Sequence, residues 1–125
     1  MRLTAVTLVV PDYAAGLAFF CDGLGFALLD DVDQGTKRWI TIRAPGGGPM
    51  LVLGRAETEV QRAAIGNQAG GRVWLFLETD DFARDAGRIT RAGGVFEDPP
   101  RHQPYGTVAV WRDPFGNRWD LIEPR

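Results

Sequence analysis

The chain holds one cysteine and one histidine. Among its 14 basic residues it has one lysine, Lys37. A single cysteine, Cys21, excludes an internal disulfide. It falls in a helical apolar pattern, which suits a small core residue better than a reactive thiol. A single histidine, His102, leaves little imidazole for a metal centre or for acid/base work. The net charge is only −2, so there is no basic footprint for nucleic acid, and none is expected as a partner. No apolar run approaches the roughly 20 residues that cross a bilayer, so no membrane partner is expected. Leu3 to Val10 is stopped at once by Pro11 and Asp12 and lacks the form of a signal peptide, which leaves the cytoplasm as the expected location. The bias toward Arg, Ala and Gly suggests a GC-rich bacterial genome. At 125 residues, with 45% apolar and 24% charged, the chain has the size and composition of one soluble domain with a real core.

What the chain does have is a repeat. At the spacing that takes Asp12 to Asp81, Ala14 falls on Ala83 and Gly25 on Gly94. Gln34 falls on Gln103, Arg43 on Arg112, Pro45 on Pro114 and Gly47 on Gly116. The apolar pattern follows, with Tyr13 on Phe82, Phe20 on Ile89, Phe26 on Val95, Val52 on Leu121 and Leu53 on Ile122. Two copies of one supersecondary unit bury their apolar faces by packing together, and what they enclose is the expected place for function.

Each copy reads as β-α-β-β-β. Leu3 to Val10 is β-rich, and Asp12 is placed to cap a helix on which Tyr13, Leu17, Phe20 and Leu24 recur. Gly23 and Gly25 stop it. Phe26 to Leu29, Arg38 to Arg43 and Met50 to Leu53 read as strands, with the turn Ala44 to Pro49 before the last. In the second copy the strands are Val73 to Thr79, Val95-Phe96, Thr107 to Arg112 and Arg118 to Ile122. Asp80-Asp81 caps a helix carrying Phe82, Ala86 and Ile89. Asp113-Pro114-Phe115-Gly116-Asn117 is hairpin-turn chemistry. Modules of about residues 1–56 and 70–125 result, joined by a linker at about 57–69 that holds one or two helical turns. The glycines at 46–48 lie between strands, without the helix and lysine a P-loop needs.

Three stretches carry a family resemblance: AVTLVVPDYAAGLAFFCDGLGF, ITRAGGVFEDPP and the closing DPFGNRWDLIEP. With them the whole chain resembles the vicinal oxygen chelate superfamily, the group of glyoxalase I, extradiol dioxygenases, fosfomycin-resistance enzymes and bleomycin-binding proteins. The resemblance implies an α+β fold in which two tandem βαβββ modules form an open, curled mixed β half-barrel, with helices on the convex face and the site on the concave one. It also implies a homodimer. In enzymes of the group a divalent metal is held by one residue from the first and one from the last strand of each module. Carried over at the repeat spacing, those places are Ala5, Leu51, Trp74 and Asp120. Only Asp120 can ligate, whereas such an ion needs several N or O donors. Neither a metal nor another cofactor is therefore expected.

Asp120 is read either as a polar anchor or base at the floor of the site, or as a carboxylate paired with Arg38 or Arg118. Trp74 stands in a vacated ligand place, where an indole suits stacking on an aromatic or cationic molecule. Thr7 and Phe76 share faces with Ala5 and Trp74 by strand alternation, and Leu53 joins Leu51 by the same rule. Trp39 is a further candidate for ligand contact, whereas Trp111 reads as core. His102 and Tyr105 lie in the 99–106 loop, which is placed to close over a ligand. His102 is a second candidate base, since its pKa lies near neutrality. The expected function is metal-independent binding of a small, aromatic or cationic molecule in a Trp-lined cleft. The alternative is a lyase, isomerase or dioxygenase that uses an atypical metal site, or metal-free chemistry through Asp120 or His102.

Overall fold

A computed structural model describes all residues from Met1 to Arg125. The chain divides into two compact units, Met1–Ala63 and Ala64–Arg125. No helix is long and apolar enough to cross a membrane.

The first unit opens with β1 (Ala5–Val10) and α1 (Tyr13–Leu17), which runs into a π-helical turn at Ala18–Gly23. Asp12 caps α1 as its sequence position requires, its side chain accepting from the Ala15 amide at 2.7 Å. The wider turn brings two consecutive phenylalanines inside. Phe19 and Phe20 are both buried, edge to face at 4.9 Å. Three strands follow, β2 (Ala27–Asp33), β3 (Arg38–Arg43) and β4 (Met50–Arg55). They form a sheet in the order β1-β4-β3-β2, with β1 parallel to β4 and the other pairs antiparallel. Leu8, Val10, Ile40, Ile42, Leu51 and Leu53 are its buried core. Gly16 lets α1 settle on this face, because a Cβ there would sit 3.0 Å from Leu53 Cδ1 and 3.4 Å from Val10 Cγ1. β2 is longer than the sequence pattern marks. It carries a bulge between Leu28 and Asp30, as an edge strand often does.

The linker holds α2 (Glu59–Ala64). Its N-terminus is closed reciprocally. Thr58 Oγ1 accepts from the Gln61 amide at 3.1 Å, while Gln61 Oε1 accepts from the Glu57 and Thr58 amides at 2.8 and 3.2 Å.

The second unit repeats the plan with β5 (Leu75–Glu78), α3 (Phe82–Ala92), β6 (Val95–Phe96), β8 (Gly106–Arg112) and β9 (Arg118–Pro124). It adds β7 (Arg101–Gln103), a short strand that the sequence pattern does not mark. The sheet order is β5-β9-β8-β6, with β7 paired to β8, and β5 runs parallel to β9. Asp81 caps α3 by accepting from the Arg84 amide at 3.0 Å, and Gly93 closes it at φ 113°. Trp111 and Trp119 lie opposite one another on β8 and β9 and stack at 5.2 Å inside the core, together with Leu121 and Ile89. The architecture is α+β, with two mixed sheets and nine strands.

Candidate functional site

Each sheet has one face under its own helix and one face turned away from it. On the first sheet the strand partners Thr7↔Val52 and Thr41↔Val52 put Thr7, Val52 and Thr41 on the open face. Trp39 joins them by alternation and is 41% exposed. Thr41 is buried there and donates to Asp30 at 2.5 Å. Leu51 and Leu53 are on the other face. They are 7% and 1% exposed, and Leu53 lies beneath Gly16 of α1.

This corrects the carry-over along the repeat. Phe76 pairs with Asp120 in the second unit, and Thr7 pairs with Val52 in the first. Thr7 and Phe76 keep the spacing of Asp12 to Asp81, but the residue that answers to Asp120 is Val52, not Leu51. The β3–β4 connection contains the three consecutive glycines at 46–48 and is one residue longer than the β8–β9 connection. A slip of one residue in a strand sends every later side chain to the opposite face.

On the second sheet, Asp120 stands between Phe76 of β5 and Val110 of β8. Trp74 precedes β5, its amide donating to the Arg118 carbonyl at 2.9 Å, and alternation puts it on the same face as Phe76. Phe76 is 62% exposed and Trp74 half-buried. Asp120 Oδ1 is buried and has no hydrogen-bond partner in the chain. Burial pushes its carboxyl above the ordinary carboxylate range, while the charges of Arg101 and Arg118 pull it back and Asp98 adds to the rise.

The pairings considered for Asp120 do not form. Arg38 gives its guanidinium to Asp31, at 3.0 and 2.6 Å. Arg118 grips Glu97 through two bonds of 2.8 and 2.9 Å and donates a third to the Gly71 carbonyl at 3.0 Å. Arg112 reaches the same Glu97 at 3.0 Å. The two arginines hold Glu97 below its ordinary range, against a smaller opposing effect of burial.

His102 and Tyr105 are exposed and do not join this group. His102 pairs with Thr107 across β7 and β8, and its Nδ1 lies 3.2 Å from Thr107 Oγ1. Thr107 alternates with Val108 and Val110, so this side is opposite to Asp120. Tyr105 sits at the β7–β8 turn, its carbonyl accepting from the Arg125 amide at 3.1 Å. Sequence reasoning missed Val52, and it missed the Glu97 ion cluster beside Asp120. The second was within reach, since Glu97 alternates onto the face of Val95, whose strand partner is Arg112.

The profile of the Glyoxalase/Bleomycin resistance protein/Dioxygenase superfamily matches residues 2–121. The chain belongs to this superfamily. Among curated relatives of this superfamily member is an uncharacterized protein of Shewanella frigidimarina, 48% identical over 94% of this chain and 90% of the relative. Among solved structures, UcmS2 is 29% identical with a TM-score of 0.82, covering 98% of this chain and 97% of its own. TnmS3, described as an antibiotic binding protein from Streptomyces sp. CB03234, is 27% identical with a TM-score of 0.78, covering 100% of this chain and 97% of its own.

The superfamily's metal does not fit the residues at its ligand places. With the register corrected, these are Ala5, Val52, Trp74 and Asp120, and three of the four have no atom that ligates a divalent ion. No group of three or more His, Cys, Asp or Glu side chains converges elsewhere in the chain to hold one.

Proposed function

We propose that this superfamily member binds a small aromatic or cationic molecule without a metal, on the open face of the second sheet around Trp74, Phe76 and Asp120. The observation that carries the reading is the exposure of Phe76. A phenylalanine 62% exposed in the middle of a β-strand, directly beside a carboxylate whose inner oxygen is buried, is poor surface and good binding floor. Affinity would come from burying the ring faces of Phe76 and Trp74, and orientation from Asp120. Thr7 and Trp39 are exposed on the open face of the first sheet, which is a candidate ligand surface in its own right. TnmS3 supports the class of function, being described as an antibiotic binding protein at 27% identity over nearly its whole length. The reading also takes the protein as a homodimer in a bacterial cytoplasm, the first of which a sedimentation mass checks.

The test is a thermal-shift screen of small aromatic compounds after exhaustive chelation, because a ligand that binds only the folded state raises the melting temperature. Shifts that survive the chelator and disappear in Phe76→Ala and Trp74→Ala support the reading. Shifts that require added metal, or turnover lost in Asp120→Asn, would replace it with an enzymatic one.

A further inference from the structure

We infer that the ligand carries a cationic N–H donor that docks on the Asp120 carboxylate while its ring system lies on Phe76 and Trp74, an inference that rests on the small-molecule reading above. A buried carboxylate oxygen with no donor loses its hydration and regains nothing, and such atoms are rare in folded chains. Asp120 Oδ1 is one.

The chain itself does not supply the missing donor. Arg118 spends its bonds on Glu97 and the Gly71 carbonyl, and Arg112 turns to Glu97 as well. Arg101 is drawn to Asp98, at 3.8 Å. The strand partners of Asp120 are Phe76 and Val110, whose side chains have no donor to give. Three arginines therefore face three acids, so the region is balanced in charge. The acid left without a donor on its inner oxygen is the one beside the exposed ring.

Asp120 itself is only half-buried, so its carboxylate is left for a donor from outside. A cationic one is favoured twice. Hydrogen bonds between ionised partners are about twice as strong as neutral ones. The faces of Phe and Trp also attract cations through the ring quadrupole. An anionic ligand would meet the Asp120 carboxylate and the negative ring faces together, and is rejected.

Two dyes of the same ring shape test this on the chelated, full-length protein. Proflavine is cationic at neutral pH and carries amino donors. Acridine is neutral and carries none. Proflavine is expected to bind about ten- to a hundredfold more tightly than acridine, the worth of one hydrogen bond to a charged group. In Asp120→Leu that advantage, read as the ratio of the two dissociation constants, falls to within about threefold. Asp120→Asn, which keeps the shape and loses the charge, gives an intermediate ratio and serves if the Leu variant does not fold. The near-ultraviolet circular dichroism of the stacked Trp111–Trp119 pair reports folding in each. Equal binding of the two dyes by the wild type, or an advantage that persists in the variants, overturns the inference and leaves the binding reading in place. If neither dye binds the wild type, the binding reading itself is overturned, and this inference with it.

Discussion

Asp113 makes more of the β8–β9 hairpin than any other side chain. It is buried and accepts from the Phe115 amide at 2.9 Å, the Asn117 amide at 3.0 Å, Asn117 Nδ2 at 2.8 Å and Trp119 Nε1 at 2.9 Å. Burial pushes its carboxyl above the ordinary range, against the pull of those four donors. Asp113→Ala strands buried donors on both sides of the turn and is expected to cost about 2–4 kcal/mol in urea unfolding. A loss under about 0.5 kcal/mol, the level of an ordinary surface change, would show that the turn holds itself. In the sequence, Pro114, Gly116 and Asn117 announce the turn, but nothing announces that Asp113 also anchors an indole. That bond exists because Trp119 faces inward one strand position before Asp120 faces out. The four tryptophans show the same limit. As letters they are alike, yet Trp111 and Trp119 form a core stack while Trp39 and Trp74 lie on open faces.

At the scale of elements, the two β-α-β-β-β units were legible because period-2 and period-3.6 patterns, caps and glycine stops agree along each copy. The face of the last strand in the first unit was not. Identities at the start of the β3–β4 connection and inside it kept one spacing (Arg43 on Arg112, Gly47 on Gly116), and the extra residue hides among glycines that leave no apolar mark. Backbone pairing resolves it, and stability can check the result. Leu51→Ala opens a cavity on the buried face of the first sheet and is expected to cost about 2–5 kcal/mol. Val52→Ala, on the open face, should cost less than about 1.5 kcal/mol. The reverse order of urea midpoints would restore Leu51 to the open face. Gly94 tests the crossing from α3 into β6 in the same way. A Cβ there would collide with Ile89 Cγ2 and lie 3.1 Å from Trp111 Cε3. Gly94→Ala is therefore expected to destabilise by about 1–3 kcal/mol through overpacking, read as a lower melting temperature with the near-ultraviolet spectrum of the Trp pair altered.

For the whole molecule, acid stability is set by two groups of carboxyls working in opposite directions. Glu97, Asp85 and Asp31 are held below their ordinary values of 4.5, 3.8 and 3.8, chiefly by hydrogen bonds from Arg118, Arg84 and Arg38 respectively. The folded state binds their protons more weakly than the unfolded chain does. Their stabilisation is complete above those ordinary values and is lost as the pH falls toward the folded ones. Asp113 and Asp120 are raised above 3.8 by burial, so the folded state binds their protons more tightly. Their effect has the other sign, and stability rises as the pH falls from their folded values to 3.8. Between 4.5 and 3.8 the loss at Glu97 runs against the gain at Asp113 and Asp120. Below 3.8 only the losses continue, because Asp113 and Asp120 are by then protonated in both states. Urea midpoints should therefore hold or rise as the pH falls from neutrality toward 4.5, and fall below 3.8. Glu97→Gln separates the terms, since it removes the partner shared by Arg112 and Arg118 without touching the buried pair. That variant should be less stable than the wild type at pH 7 and should approach it as the pH drops below 4.5, the ordinary value of the lost carboxyl. Curves for the two proteins that stay parallel down to pH 3 would mean that the arginines draw no stability from Glu97. The ion cluster on the open face would then be free to rearrange around a ligand.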